Sequence, residues 1–150
     1  SVDLVQEKTK SKFDDLAPLL PYIDFIMPNQ DEISMLTGSD NLYENARTLL
    51  DAGCGCAVIK CGKDGCLIKS TSFEYHIPAY PAVHCIDTTG AGDSFAAGFL
   101  WALSEQWSIL DCGCFASAVA SCAIEQIGST NGVHSLEQVM PRFREIKNMI

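Results

Sequence analysis

The chain is poor in positive charge. Its 150 residues carry 10 Lys and Arg against 19 Asp and Glu, a formal net charge of −9. A nucleic-acid partner needs a basic footprint, so none is expected. The deficit leaves room for a phosphorylated small molecule, because a helix N-terminus holds phosphate with backbone N–H groups. Long apolar runs are also lacking. The most apolar stretch, residues 112–124, is interrupted by Gly113, Ser117 and Ser121. It falls short of the ~20 residues a membrane span needs, so no membrane partner is expected. No basic segment followed by an apolar one opens the chain, so no signal peptide is expected. An initiating Met, internal repeats and low-complexity segments are missing too.

Cysteine is not scarce: there are eight, at 54, 56, 61, 66, 85, 112, 114 and 122. What is lacking is the C-x-x-C knuckle of structural zinc sites. Most of the eight stand among Ala, Val and Ile, where a free thiol behaves as a small hydrophobe. Reduced core thiols and a cytoplasmic location are therefore expected.

With 47% hydrophobic and 19% charged residues, the chain has the composition and length of one ordinary globular domain. Such a chain buries roughly 70% of its unfolded surface and needs no staple. Apolar spacing predicts helices over 11–20 (with Ser11 as a cap and Pro18 as a weak point), 31–36, 42–50, 94–105 and 110–126. A last amphipathic helix is predicted over 136–150, its first turns open to disruption by Pro141. Short apolar runs predict strands over 22–27, 56–60, 66–69, 73–77 and 83–86. Gly62, Lys63, Asp64 and Gly65 predict a tight turn between two of them. Strands alternating with helices indicate an α/β domain with a largely parallel sheet, and the strand–turn–strand run indicates antiparallel strands at one edge.

The sharpest signal is Asp87-Thr88-Thr89-Gly90-Ala91-Gly92-Asp93, placed between a predicted strand and a predicted helix. That junction is where α/β sheets bind ligands. Gly90 and Gly92 let backbone approach an anion, and N–H groups at a helix start favour negative charge. Asp93 in the first turn is ill-suited to phosphate binding alone. It suits proton abstraction from an attacking hydroxyl. The plain alternative is that the glycines make a turn and Asp93 caps the helix. No Lys follows the glycines where a Walker loop requires it. His76, His84 and His134 are isolated and read as ordinary surface residues, and Trp101 and Trp107 as packing.

Residues 87–99, DTTGAGDSFAAGF, resemble the C-terminal signature of the PfkB carbohydrate kinases, the ribokinase-like family. Pro28-Asn29-Gln30-Asp31-Glu32 resembles the family's N-x-x-E motif. Lys60-Cys61-Gly62-Lys63-Asp64-Gly65 resembles the strand–turn–strand segment over the nucleotide phosphates. The resemblance implies a ribokinase-like three-layer α/β/α sandwich with a mostly parallel sheet and antiparallel edge strands. It implies ATP-dependent phosphorylation of a sugar hydroxyl, with Mg2+ and, in many members, a monovalent cation such as K+.

Position by position, the resemblance makes Asp93 the catalytic base and Gly90, Ala91 and Gly92 the anion hole. Asn29 and Glu32 organise phosphate and magnesium, largely through water. Lys60, Gly62 and Gly65 contact the nucleotide, Lys60 less securely because many relatives have Thr there. Asp87 and Thr89 help hold the monovalent cation, together with a loop like that around Gly128. Ser117 stands where ribokinase-like proteins place Asn against adenine, which puts that contact in doubt.

The family's chains are roughly twice this length, and their N-terminal half carries the lid and nearly all sugar contacts. Residues 1–150 are therefore expected to be the C-terminal nucleotide-binding and catalytic piece, cut, proteolysed or truncated, and incompetent alone. The partners implied are a small sugar and ATP. The oligomer is left open, a homodimer included. Two other readings stand beside a sugar kinase: a nucleoside or vitamin-precursor kinase of the same fold, and a non-catalytic nucleotide-binding module.

Overall fold

The structure, a computed structural model, describes residues 13–81, 83–129 and 131–150. The predicted cap Ser11 lies outside them. The chain divides into two compact units: residues 1–61 with 67–76, and residues 62–66 with 77–150.

In the first unit, α1 (Phe13–Leu16) passes into a 3-10 turn, Ala17–Tyr22, that contains Pro18 and Pro21. Proline removes an N–H and crowds the preceding turn, so the helix predicted over 11–20 is broken there. Strand β1 (Phe25–Ile26) is only two residues of the predicted 22–27, because Pro28 ends it and the 3-10 turn holds its other flank. It pairs in parallel with β2 (Cys56–Lys60), Phe25 opposite Cys56 and Ile26 opposite Ala57. The sheet continues in the order β1-β2-β3-β4, with β3 at Cys66–Lys69 and β4 at Glu74–Ile77.

Between β1 and β2 run α2 (Gln30–Thr37) and α3 (Leu42–Asp51). Helix α2 stops at Gly38, whose φ of 76° is the left-handed conformation typical of a helix C-cap. Asn41 caps α3 by accepting from the N–H groups of Tyr43 and Glu44. The turn between the helices is held by Asn45, which is fully buried. Its Oδ1 accepts from the Thr37 hydroxyl at 2.5 Å, and its Nδ2 donates to the Ser39 carbonyl at 2.9 Å. Ile26, Ile33, Leu49, Ala57, Ile59 and Leu67 form the centre of this core, all fully buried. Each such side chain contributes about 1.5–3 kcal/mol, less for the alanine.

The second unit is mainly helical: α4 (Ala91–Ser104), α5 (Ile109–Ala123) and α6 (Leu136–Lys147). Helix α5 is buried nearly all round, and its small residues let α4 come close. A Cβ on Gly98 of α4 would lie 2.9 Å from Val119 Cγ2 and 3.2 Å from Ala116 Cα of α5. Trp101, Trp107, Phe115 and Phe143 interlock with ring centroids 4.9–6.1 Å apart, so both tryptophans pack as expected. Pro141 does not break α6. The helix gives up one N–H there but buries Val139, Phe143 and Ile146 along its inner face.

The predicted strand at 83–86 is not one. Its backbone donors go elsewhere: the His84 N–H to Glu125 Oε1 at 3.4 Å, and those of Ile86 and Asp87 to the Ile124 carbonyl at 2.8 and 3.2 Å. Six of the eight free cysteines are buried, Cys61 is half-buried and Cys85 is exposed. Burial pushes the thiol of Cys56 up to about 12 and those of Cys112 and Cys114 to about 11. These are core residues, not nucleophiles. No helix among the described residues is long and apolar enough to cross a membrane.

Candidate functional site

In the first unit the relevant residues gather where β1 and β2 end. The Lys60 N–H donates to the Pro28 carbonyl at 2.9 Å, and Asn29 forms a parallel bridge with Lys60. Asn29 is also the N-cap of α2. Its Oδ1 accepts from the Glu32 N–H at 2.8 Å, and Glu32 Oε2 accepts from the Asn29 N–H at 2.7 Å. This reciprocal pair is a capping box, and it satisfies two donors that a helix start leaves orphaned. So Asn29, Glu32 and Lys60 are brought together, with one Glu32 oxygen engaged in the cap. Both Asn29 and Glu32 are half-buried.

The second unit begins with the turn 62–66. Gly62, at φ 56°, starts a 3-10 turn through Asp64, and the Gly65 N–H closes back on the Gly62 carbonyl at 3.1 Å. Gly65 has φ 87°, and a Cβ there would lie 1.9 Å from the Ile77 carbonyl oxygen. Only glycine fits.

The motif residues lie at the start of α4. Gly90 is its N-cap at φ 76°, with no side-chain cap. The Ala91 N–H reaches the Thr88 carbonyl at 3.1 Å, and the Ser94 N–H reaches that of Gly90 at 2.8 Å. The N–H groups of Gly92 and Asp93 have no partner among the described residues. The helix thus begins three residues earlier than predicted and presents two consecutive unbonded donors on its positive end. Asp93 lies in that first turn with an exposed side chain.

The loop beside it is fixed by Asp87. One carboxylate oxygen accepts from the Thr89 N–H at 2.9 Å and the other from the Gly128 N–H at 3.0 Å. These bonds, the one from Gly128 foremost, hold the Asp87 carboxyl below its ordinary value of 3.8. Sequence reasoning missed Ser129. A Cβ on Gly90 would lie 2.4 Å from Ser129 Cβ, and the Ser94 hydroxyl donates to the Ser129 carbonyl at 3.3 Å. Gly128 followed by a small residue after a long apolar helix was the one available hint. Ser117 is buried in α5. Chemically, the α4 start can stabilise an anion with fixed N–H groups while the exposed Asp93 carboxylate accepts a proton.

Comparison with known proteins gives this arrangement a family. The chain is 33% identical over 119 residues to an uncharacterized sugar kinase of Archaeoglobus fulgidus, a stretch covering 79% of this chain and 47% of that protein. It is 42% identical over 75 residues to the aminoimidazole riboside kinase of Salmonella typhimurium, covering 50% of this chain and 23% of that one. Its fold matches the ribokinase of Arabidopsis thaliana, solved with ribose and ATP, at a TM-score of 0.83 and 26% identity, over 95% of this chain and 46% of the other. The chain therefore spans less than half the length of these relatives, and its fold is the ribokinase-like α/β/α fold. The profile of the pfkB family carbohydrate kinases runs from residue 2 to residue 136, and with the Gly-Ala-Gly-Asp helix start built as described, the chain belongs to that family.

Proposed function

We propose that residues 1–150 form the nucleotide-binding and catalytic part of a kinase domain that transfers phosphate from ATP to a sugar hydroxyl. The observation that carries this is the α4 start: unbonded N–H groups at Gly92 and Asp93, and an exposed carboxylate in the same turn. The transition state of phosphoryl transfer is mostly charge, so catalysis is positioning plus electrostatic stabilisation. Gly90, Ala91 and Gly92 supply the anion hole, and Asp93 takes the hydroxyl proton.

The donors present suit the other ligands. Magnesium keeps several waters and needs few carboxylates, and Glu32 has one oxygen outside its capping bond. Bound magnesium would neutralise charge on the phosphates, while Asn29 and Lys60 at the ends of β1 and β2 hold the nucleotide with Gly62 and Gly65. Asp87 and Thr89 border the place for a monovalent cation such as K+, and Ser117 faces the base. The sugar is held by residues outside this chain, and the working compartment is the cytoplasm. A homodimer is compatible with this reading.

A riboside in place of a free sugar is the second reading, favoured by the 42% identity to a riboside kinase. A non-catalytic module is disfavoured by the intact Asp93 and its glycines. The test is a phosphoryl-transfer assay of the complete protein with MgATP against sugars and ribosides. Transfer to a sugar that Asp93→Asn abolishes is expected. No transfer to any acceptor overturns the proposal.

A further inference from the structure

Arg142 lies on α6, far along the chain from the motif, yet it is more heavily bonded than a surface arginine. Its side chain is only 16% exposed. Nη2 meets Glu125 Oε2 at 2.5 Å, Nη1 donates to the Ser121 hydroxyl at 3.1 Å, and the guanidinium lies 4.9 Å from the centre of the Tyr80 ring. One planar fork thus grips the end of α5 and stacks on the segment that leads toward the motif.

The grip continues toward the helix start of α4. Glu125 passes its other oxygen to the His84 N–H. The neighbouring Ile124 carbonyl accepts from both Ile86 and Asp87. Four residues on, the Gly128 N–H bonds Asp87, and Ser129 abuts Gly90. Residues 84–87 are not a strand, so no sheet ladder fixes them. Every hydrogen bond recorded for their backbone N–H groups among the described residues runs to the 124–125 corner that Arg142 holds.

We infer that Arg142, through Glu125 and the Ile124 carbonyl, is a positioning residue that sets the Asp87–Gly90 loop and with it the start of α4. Its kinetic consequence rests on the kinase reading; its structural consequence does not. A misplacement of about 1 Å at a reacting centre can cost on the order of 100-fold in rate. A loosened brace shared among several hydrogen bonds should cost on the order of 10-fold.

The test uses the complete protein with Arg142→Gln, and Glu125→Gln as the variant to read if the first does not fold. Amide hydrogen exchange at Ile86, Asp87 and Gly128 is expected to quicken about 10-fold, while exchange in β2 stays at the wild-type rate. In the transfer assay kcat is expected to fall on the order of 10-fold with the KM for ATP nearly unchanged, because an anion hole acts on the transition state. Arg142→Lys keeps the charge but not the fork, and should recover only part of both effects. Unchanged exchange at the three amides overturns the inference. So does an equal rise in β2, which would mean general destabilisation. If the wild type transfers phosphate to nothing, the kinase reading fails while the exchange data still decide the brace.

Discussion

Two helices of this chain start in opposite ways. Helix α2 caps its own N-terminus: Asn29 and Glu32 exchange hydrogen bonds, so side chains meet the N–H groups of Asn29 and Glu32. Helix α4 starts on Gly90, has no side-chain cap, and leaves the N–H groups of Gly92 and Asp93 without partners among the described residues. A capping box stabilises a helix by about 1 kcal/mol, and α4 forgoes it. The stability of α4 comes instead from burial of Phe95, Gly98, Phe99 and Ala102 against the helices around it. A side-chain cap fixes the start of α2, and the uncapped start of α4 leaves room for the anion that the proposed function requires there.

The largest expected effect tests the uncapped end directly. If Asp93 is the base, Asp93→Asn in the complete protein lowers kcat on the order of 100- to 10,000-fold and leaves nucleotide affinity within about a factor of two. Steady-state kinetics with a titration of the nucleotide measures both. Wild-type turnover would leave Asp93 an exposed first-turn carboxylate without a catalytic role and dissolve the contrast with α2.

Next in size is Gly90→Ala. The added methyl meets Ser129 at 2.4 Å in a left-handed backbone, so the loop must shift. If that shift misplaces one donor of the proposed anion hole, kcat is expected to fall on the order of 100-fold. A variant that keeps its melting temperature but loses turnover would locate the effect in geometry. One that keeps both would show that the close approach to Ser129 is dispensable.

The Asp87 clasp should be visible as a pH effect. Its folded carboxyl lies below the ordinary 3.8 because the Gly128 and Thr89 groups bond the charged form. A depressed carboxyl contributes order above its unfolded value and loses it as pH falls through the folded value. The Gly128 amide, followed by NMR from pH 6 downward, should therefore titrate with a midpoint below 3.8. Asp87→Asn should abolish the transition. A midpoint at or above the ordinary value would mean that the clasp does not hold the carboxylate.

How much of this contrast could be read beforehand differs between the two units. Strands β2 and β3 match their predicted bounds, and α3 runs one residue past its own, because unbroken apolar periodicity decides them. Helix α4 starts three residues before its predicted bound, since a segment flanked by Gly90 and Gly92 reads as loop by propensity and only the packing of α4 against other helices makes Ala91 and Gly92 helical. The run Val83-His84-Cys85-Ile86 carries strand-like side chains, but its donors are claimed by a side chain and a carbonyl some 40 positions on, which no local pattern encodes. For the same reason the motif residues Asp87 to Asp93 were legible while Ser129 and Arg142 were not.

A smaller effect separates two duties of Asn29. Asn29→Ala should lower stability by about 1 kcal/mol in a urea titration, as loss of an N-cap does. Asn29→Ser keeps a good cap and should restore most of it. If Asn29 also serves the nucleotide, Asn29→Ser will stay impaired in the transfer assay though its stability returns. Full recovery of both would leave Asn29 a structural cap alone.

The smallest effect compares two glycines with the same φ of 76°. Gly38 closes α2 with its N–H on the Ser34 carbonyl at 2.8 Å, and a Cβ there meets nothing within 4 Å. Gly38→Ala therefore pays only for the left-handed backbone, about 1 kcal/mol. Gly38→Asn should cost less, because Asn tolerates that region. Neither should alter turnover, whereas Gly90→Ala meets Ser129 as well as the backbone penalty. Parallel urea titrations and transfer assays of the Ala variants put the contrast to measurement. Equal stability losses at the two positions, with turnover intact in both, would show that the surroundings of Gly90 add nothing to what its backbone angle already demands.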